Sequence, residues 1–252
     1  MKWLMTFILI QCRGSPVPVN KDNSLKAYHC CYTAGTGGGK SVAVQYANMV
    51  PEKPCLAIFD PYGDYEYRRS DPKNRGFAGK NVHHFNTRAS FAKNFAKAWR
   101  SGLPFRVAYM PKEPNRAEML WFCELMWQAC DGNRRLDAVI EELARWTDSI
   151  AKDSSRLGEC LTGGRKFGLV MHTVFQRSTE VSKTILSQSP FKIIGIQESR
   201  SDAERMGKEC DLTLADIKSL EPLTYFKATG GLGNVEKLDL RHVFKKGGEK
   251  GK

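Results

Sequence analysis

The stretch that most constrains this chain is Thr33-Ala34-Gly35-Thr36-Gly37-Gly38-Gly39-Lys40-Ser41. A β-type run, Ala27-Tyr28-His29-Cys30-Cys31-Tyr32, precedes it, and a helical run from Ser41 to Ala47 follows. Strand, glycine-rich loop and Gly-Lys-Ser at the start of a helix is the order of a phosphate-binding P-loop. Glycines let the backbone take positive φ and bring its N–H groups around an anion. Gly35, Thr36, Gly37, Gly38 and Gly39 are therefore predicted to wrap a nucleotide. Lys40 is predicted to reach the β/γ-phosphates, and the Ser41 hydroxyl to sit on Mg²⁺. Ala34 stands where the eight-residue pattern usually has its first glycine, a change the loop tolerates because Gly35 and the later glycines still permit the turn.

Charge adds a second constraint. The chain carries a formal +12 over 252 residues. The tail from Lys245 supplies four lysines against one glutamate, so most of the excess lies on the body. Such a balance points to a polyanionic partner, with nucleic acid ahead of a membrane surface and a merely basic soluble enzyme as the alternative. The eight cysteines contain no C-x-x-C spacing, which speaks against zinc and for a reducing compartment. His83 and His84 are neighbours on a predicted strand and point to opposite faces. The first ten residues begin like a signal peptide, but the apolar run is too short to span a bilayer and no small-x-small site follows. An extra strand or packing arm is the expectation there, with membrane association as the alternative, and Gly14 to Pro18 reads as a linker.

Apolar runs at Cys55–Phe59, Phe105–Met110, Phe167–Phe175 and Phe191–Ile196 read as strands buried on both faces, as in a parallel sheet. Helices are predicted over Arg88–Arg100, Arg116–Ala129 and Ser178–Leu186, and two further strands near Thr224–Ala228 and Val235–Leu240. Arg68 to Lys80 reads as an irregular loop. Asp60 ends its strand at the edge where open α/β sheets bind ligands. Leu136-Asp137-Ala138-Val139-Ile140 runs into Glu141-Glu142, the Walker B arrangement. There the first acid holds the Mg²⁺ hydration shell through water and the second polarises the water that attacks the γ-phosphate. Glu141 replaces the usual Asp.

Taken together, Thr33–Ser41, Asp60-Pro61-Tyr62-Gly63-Asp64-Tyr65, Glu141-Glu142, Gly164-Arg165-Lys166-Phe167-Gly168-Leu169 and Gln176-Arg177-Ser178-Thr179-Glu180-Val181-Ser182 resemble the HerA–FtsK branch of P-loop ATPases. In size the chain is similar to the genome-packaging ATPases of tailless double-stranded DNA viruses with an internal membrane. The resemblance implies an α/β fold of RecA-like (ASCE) type, with a mainly parallel central sheet flanked by helices. It also implies ATP and Mg²⁺ as cofactors, a homo-oligomeric ring that is commonly hexameric, and translocation of double-stranded DNA. Gln176 matches the family's polar sensor. Arg165, then Arg177, matches the arginine that reaches the neighbouring subunit's γ-phosphate. Lys152 and Arg156 are candidates for DNA contact in the ring's channel. The implied organisation is an arm and linker over 1–24, the ATPase domain over 25–244 and a basic tail over 245–252. The implied setting is the packaging vertex of a virion and the host cytoplasm, with a capsid-vertex or viral membrane protein as docking partner.

Two other readings compete. A Zot-like phage assembly ATPase shares the branch, but that type carries a full transmembrane helix and no run here is long enough. A non-hydrolysing nucleotide-binding virion component is opposed by the intact Lys40, Ser41 and Glu142. A GTPase is disfavoured because Asn20-Lys21-Asp22-Asn23 does not have the guanine-recognising spacing and precedes the P-loop.

Overall fold

The computed structural model describes residues 25–67 and 75–245. The predicted N-terminal arm and the tail beyond residue 245 lie outside them. In chain order the elements are β1 (Cys30–Thr33), α1 (Lys40–Tyr46), β2 (Cys55–Phe59), β3 (His83–Phe85), α2 (Arg88–Arg100), β4 (Phe105–Tyr109), α3 (Arg116–Ala129), β5 (Leu136–Ile140), α4 (Arg156–Gly163), β6 (Leu169–Phe175), α5 (Lys183–Gln188), β7 (Phe191–Ile194), α6 (Arg200–Cys210), α7 (Leu214–Lys218), β8 (Thr224–Thr229), β9 (Val235–Asp239) and α8 (His242–Lys245). Short 3₁₀ turns occupy Leu143–Trp146, Gly164–Phe167 and Ser178–Glu180.

The chain forms two compact units. The first contains Pro51–Glu141 and Ser154–Met171. Its strands β3, β4, β2 and β5 pair in that order, all parallel. Strands β2 and β5 are buried along their whole length, which is why their sequences are nearly unbroken apolar runs. Helix α2 packs on β3 and β4 and α3 on β5. Side chains capping their first turns start both helices, Thr87 accepting from the Ser90 N–H and Asn115 from the Glu118 N–H. An aromatic cluster fills this core, with Phe91 5.4 Å from Tyr109 and 5.8 Å from Phe122 between ring centres. Of the predicted loop from Arg68 to Lys80, the described part carries two isolated antiparallel bridges, one of them Phe77 to Lys80.

The second unit contains Tyr28–Val50, Glu142–Asp153 and the chain from His172 onward. Strand β1 pairs parallel with β6 on one side and β7 on the other, and β8 and β9 continue antiparallel. Strand β6 contributes residues to both units, and the strands form one sheet in the order β3-β4-β2-β5-β6-β1-β7-β8-β9. The predicted mainly parallel α/β architecture is the observed one. Strand β8 runs against β7, while β9, antiparallel to β8, runs in the direction of β7 again and shows the half-exposed pattern of an edge strand. Among the described residues, no helix is long and apolar enough to cross a membrane.

One element differs from expectation. Ser178–Leu186, predicted as a single helix, is a 3₁₀ turn over Ser178–Glu180, an extended Val181-Ser182 step, and then α5. Arg205 explains the break, because its guanidinium donates to the carbonyls of Ser178 (2.6 Å) and Val181 (3.2 Å). Those carbonyls would otherwise accept the next helical turn.

Candidate nucleotide-binding site

Strand β1 ends at Thr33, and the loop that follows runs to Lys40, where α1 opens. Gly37 has φ +72° and Gly39 φ +91°, conformations that a side chain disfavours. Ala34 is fully buried and is not among the positive-φ residues, so the turn does not require a glycine there. Two loop N–H groups are used internally, Gly35 to the Ile196 carbonyl (2.7 Å) and Gly38 to the Gly35 carbonyl (3.0 Å). The N–H groups of Gly37, Gly39, Lys40 and Ser41 have no acceptor among the described residues. Neither the Lys40 ammonium nor the Ser41 hydroxyl has a side-chain partner there, and the first turn of α1 holds no acid. Free donors and an unpaired cation around a loop that leaves no room for a Cβ at Gly38 or Gly39 are the chemistry of a phosphate site. The residues present therefore fit a nucleotide.

Gln176 closes one side of this loop. Its Nε2 donates to the Thr36 hydroxyl at 2.7 Å, and its backbone carbonyl accepts from the Thr33 hydroxyl at 3.3 Å. Gln176 thus touches the phosphate loop directly. Glu142 lies in the same compact unit. It is half-buried with a left-handed backbone (φ +51°, ψ +40°), and its carboxylate has no partner among the described residues. A non-glycine residue held in that conformation at a loop end is strained, a feature concentrated at functional sites.

Glu141 has a different environment within the first unit. It is 1% exposed, and its Oε1 accepts a short hydrogen bond from the Tyr65 hydroxyl. Burial and the neighbouring carboxylate push the Tyr65 phenol well up, so it remains the donor. Asp60 fixes the same loop by accepting from the backbone N–H of Asp64 (2.8 Å) and Tyr65 (3.1 Å), and it meets His84 Nε2 at 2.8 Å. The two adjacent acids therefore differ in environment, one locked and one free. Tyr65 and His84 were invisible as partners in the sequence, because only the sheet order brings the loop after β2 to the end of β5.

The basic candidates separate clearly. Arg165 is exposed and its side chain has no partner among the described residues. Arg177 is held by Asp202 (3.2 Å) and Glu180 (3.4 Å). Arg156 is bound by Glu124 at 2.5 Å and by Glu159, with its guanidinium over the Trp127 ring, so its charge is already neutralised. Lys152 is exposed.

Asp202 anchors the segment after Gln176. It accepts from the Thr179 N–H and hydroxyl and from the Ser178 hydroxyl. Burial alone would raise its carboxyl, but these donors and Arg177 outweigh it and hold the group below the usual range. Asp202→Asn is expected to cost about 1–3 kcal/mol at neutral pH, measured by urea unfolding. A depressed carboxyl contributes fully above the ordinary aspartate value of about 3.9. That contribution is lost as pH falls from there through the lower folded value, so the gap to wild type should close in acid.

No family model matches the chain. It is 32% identical over 202 residues to Protein P9 of Pseudoalteromonas phage PM2, a match that spans 79% of this chain and 83% of the relative. The genome packaging NTPase B204 of Sulfolobus turreted icosahedral virus 2, solved with AMPPCP, superposes with a TM-score of 0.63 at 13% identity, over 83% of this chain and 95% of B204. The plasmid coupling protein TrwB, solved with ADP and Mg²⁺, gives 0.56 at 14% identity, over 87% and 86%. These two structures speak to the fold, a RecA-like P-loop core. The phage relative shows that the chain belongs to the family of phage PM2 protein P9.

Proposed function

We propose that this chain is an ATP-hydrolysing DNA translocase that packages a viral double-stranded DNA genome into a preformed capsid. One observation carries the reading: an open phosphate cradle with an unpaired Lys40, in a chain whose fold superposes on 95% of the packaging NTPase B204. The motor is assigned to residues 25–244, with 1–24 as an apolar arm for contact with a capsid-vertex or viral membrane protein and 245–252 as a basic tail. The working form is a homo-oligomeric ring, taken as a hexamer, at the packaging vertex of a virion and in the host cytoplasm.

In this reading, the loop N–H groups and Lys40 bind and orient the β- and γ-phosphates. Glu142 takes a proton from the attacking water as its oxygen bonds to the γ-phosphorus and the bond to the bridging β,γ-oxygen breaks. Gln176, tied to Thr36, senses the γ-phosphate through the loop. Mg²⁺, when bound, neutralises phosphate charge, with the Ser41 hydroxyl as its protein ligand and Glu141 acting through water. Arg165 precedes β6 and Gln176 follows it, so a strand of seven residues separates them, roughly 20 Å at the rise of a β-strand. An unpaired arginine at the far end of the strand suits a neighbouring subunit's site, which favours Arg165 over Arg177. Lys152 stays as the DNA-facing candidate, and Arg156 gives up that role to its carboxylate partners.

The test is ATP hydrolysis by the purified protein with and without double-stranded DNA. Turnover that rises with DNA supports the motor. Turnover indifferent to DNA would favour an assembly ATPase. Bound nucleotide with no turnover in any oligomeric form would leave a structural nucleotide-binding virion component.

A further inference from the structure

We infer that Tyr225, 186 residues away in sequence from Gly39, is the positioning residue that presets the phosphate loop, with Leu223 as its brace. This rests on the nucleotide-binding reading above and concerns the same loop. The Tyr225 hydroxyl donates to the carbonyl of Gly39 at 2.8 Å and approaches that of Gly38 at 3.3 Å. A peptide unit is planar and trans, so its carbonyl and the following N–H point in opposite directions. Holding the Gly38 and Gly39 carbonyls on one side therefore fixes the N–H groups of Gly39 and Lys40 on the other. Those are two of the donors that have no acceptor among the described residues. The loop's anion-facing donors are oriented before any ligand arrives, which is preorganisation rather than induced fit.

Three further observations fit a built support. Tyr225 is 1% exposed, and burial pushes its phenol up, so it keeps its proton to donate. Leu223 adopts φ +65°, a costly conformation for a bulky side chain, and its carbonyl is held by the Leu240 N–H at 2.9 Å. A Cβ on Gly39 would fall 2.6 Å from Leu223 Cδ2 and would also collide with the Tyr225 hydroxyl. The strained residue and the buried phenol thus press on the loop glycine with the largest positive φ of the P-loop. Another face of the Tyr225 ring closes over Gly195, where a Cβ would lie 3.1 Å away, so the tyrosine cannot swing aside easily. Strand β8 is in this sense the back wall of the phosphate site.

The test compares wild type, Tyr225→Phe and Lys40→Ala by calorimetric titration of ATP and ADP, with thermal unfolding of each protein without nucleotide. Tyr225→Phe is expected to weaken ATP and ADP about tenfold, the size of one lost hydrogen bond with its orientation. Nucleotide-free melting should be near that of wild type, and amide hydrogen exchange at Gly39 and Lys40 should be faster. Unchanged nucleotide affinity and unchanged exchange at those amides would overturn the inference. So would an affinity loss fully matched by lowered melting, since a merely structural tyrosine gives that result. If wild type itself binds neither nucleotide and matches Lys40→Ala, it is the nucleotide-site reading that fails. Leu223→Ala supplies a second arm, expected to speed exchange at Gly39 with the tyrosine intact.

Discussion

Glu142→Gln is expected to reduce ATP turnover by roughly 10²–10⁴-fold while ATP binds as tightly as in wild type. The substitution is isosteric, and glutamine can adopt the same left-handed backbone at φ +51° at no extra cost. Stability should hold as well, because the carboxylate has no partner among the described residues to lose. What disappears is an acceptor for the proton of the attacking water, since an amide nitrogen or neutral carbonyl cannot take it. Single-turnover kinetics and equilibrium binding separate the two effects. A lower turnover at saturating ATP with unchanged Kd assigns Glu142 as the base. A rate within about threefold of wild type would move that role elsewhere, with Glu141 the next residue to examine.

Much of this arrangement can be read directly from sequence. The order of strand, Gly-rich loop, Lys40-Ser41 and helix is a local pattern, and local geometry preserves it. The buried strands were equally legible, because a strand covered on both faces is apolar at nearly every position, as β2 and β5 are. Partners across long sequence separations were not legible. Nothing local links Tyr225 to Gly39 or Tyr65 to Glu141, yet strand order brings each pair into hydrogen-bonding distance. The single predicted helix over Ser178–Leu186 failed for the same reason. Its propensity was adequate, but Asp202 and Arg205, from a helix later in the chain, captured its donors and carbonyls. Charge alone was also ambiguous. Arg156 and Lys152 looked alike as basic residues after Glu142, and only the carboxylates around Arg156 distinguish a neutralised cation from an open one.

Lys40→Ala is expected to lower kcat/KM for ATP by roughly 10³-fold, combining lost phosphate binding with lost stabilisation of charge as the γ-phosphoryl group transfers. Protein stability should change by less than about 0.5 kcal/mol, since a half-buried side chain without a partner contributes little to the fold. That contrast is the strength of the experiment. A lysine that the sheet and its helices do not need, at the end of a loop that leaves several backbone donors open, has a ligand as its reason for being there. Lys40→Arg is expected to rescue poorly, because a planar fork replaces the compact ammonium that a phosphate loop places as a point charge. Nucleotide binding and urea unfolding measured on the same preparations decide the matter. A variant that loses stability in step with affinity would make Lys40 a structural residue and remove the main support for a phosphate site.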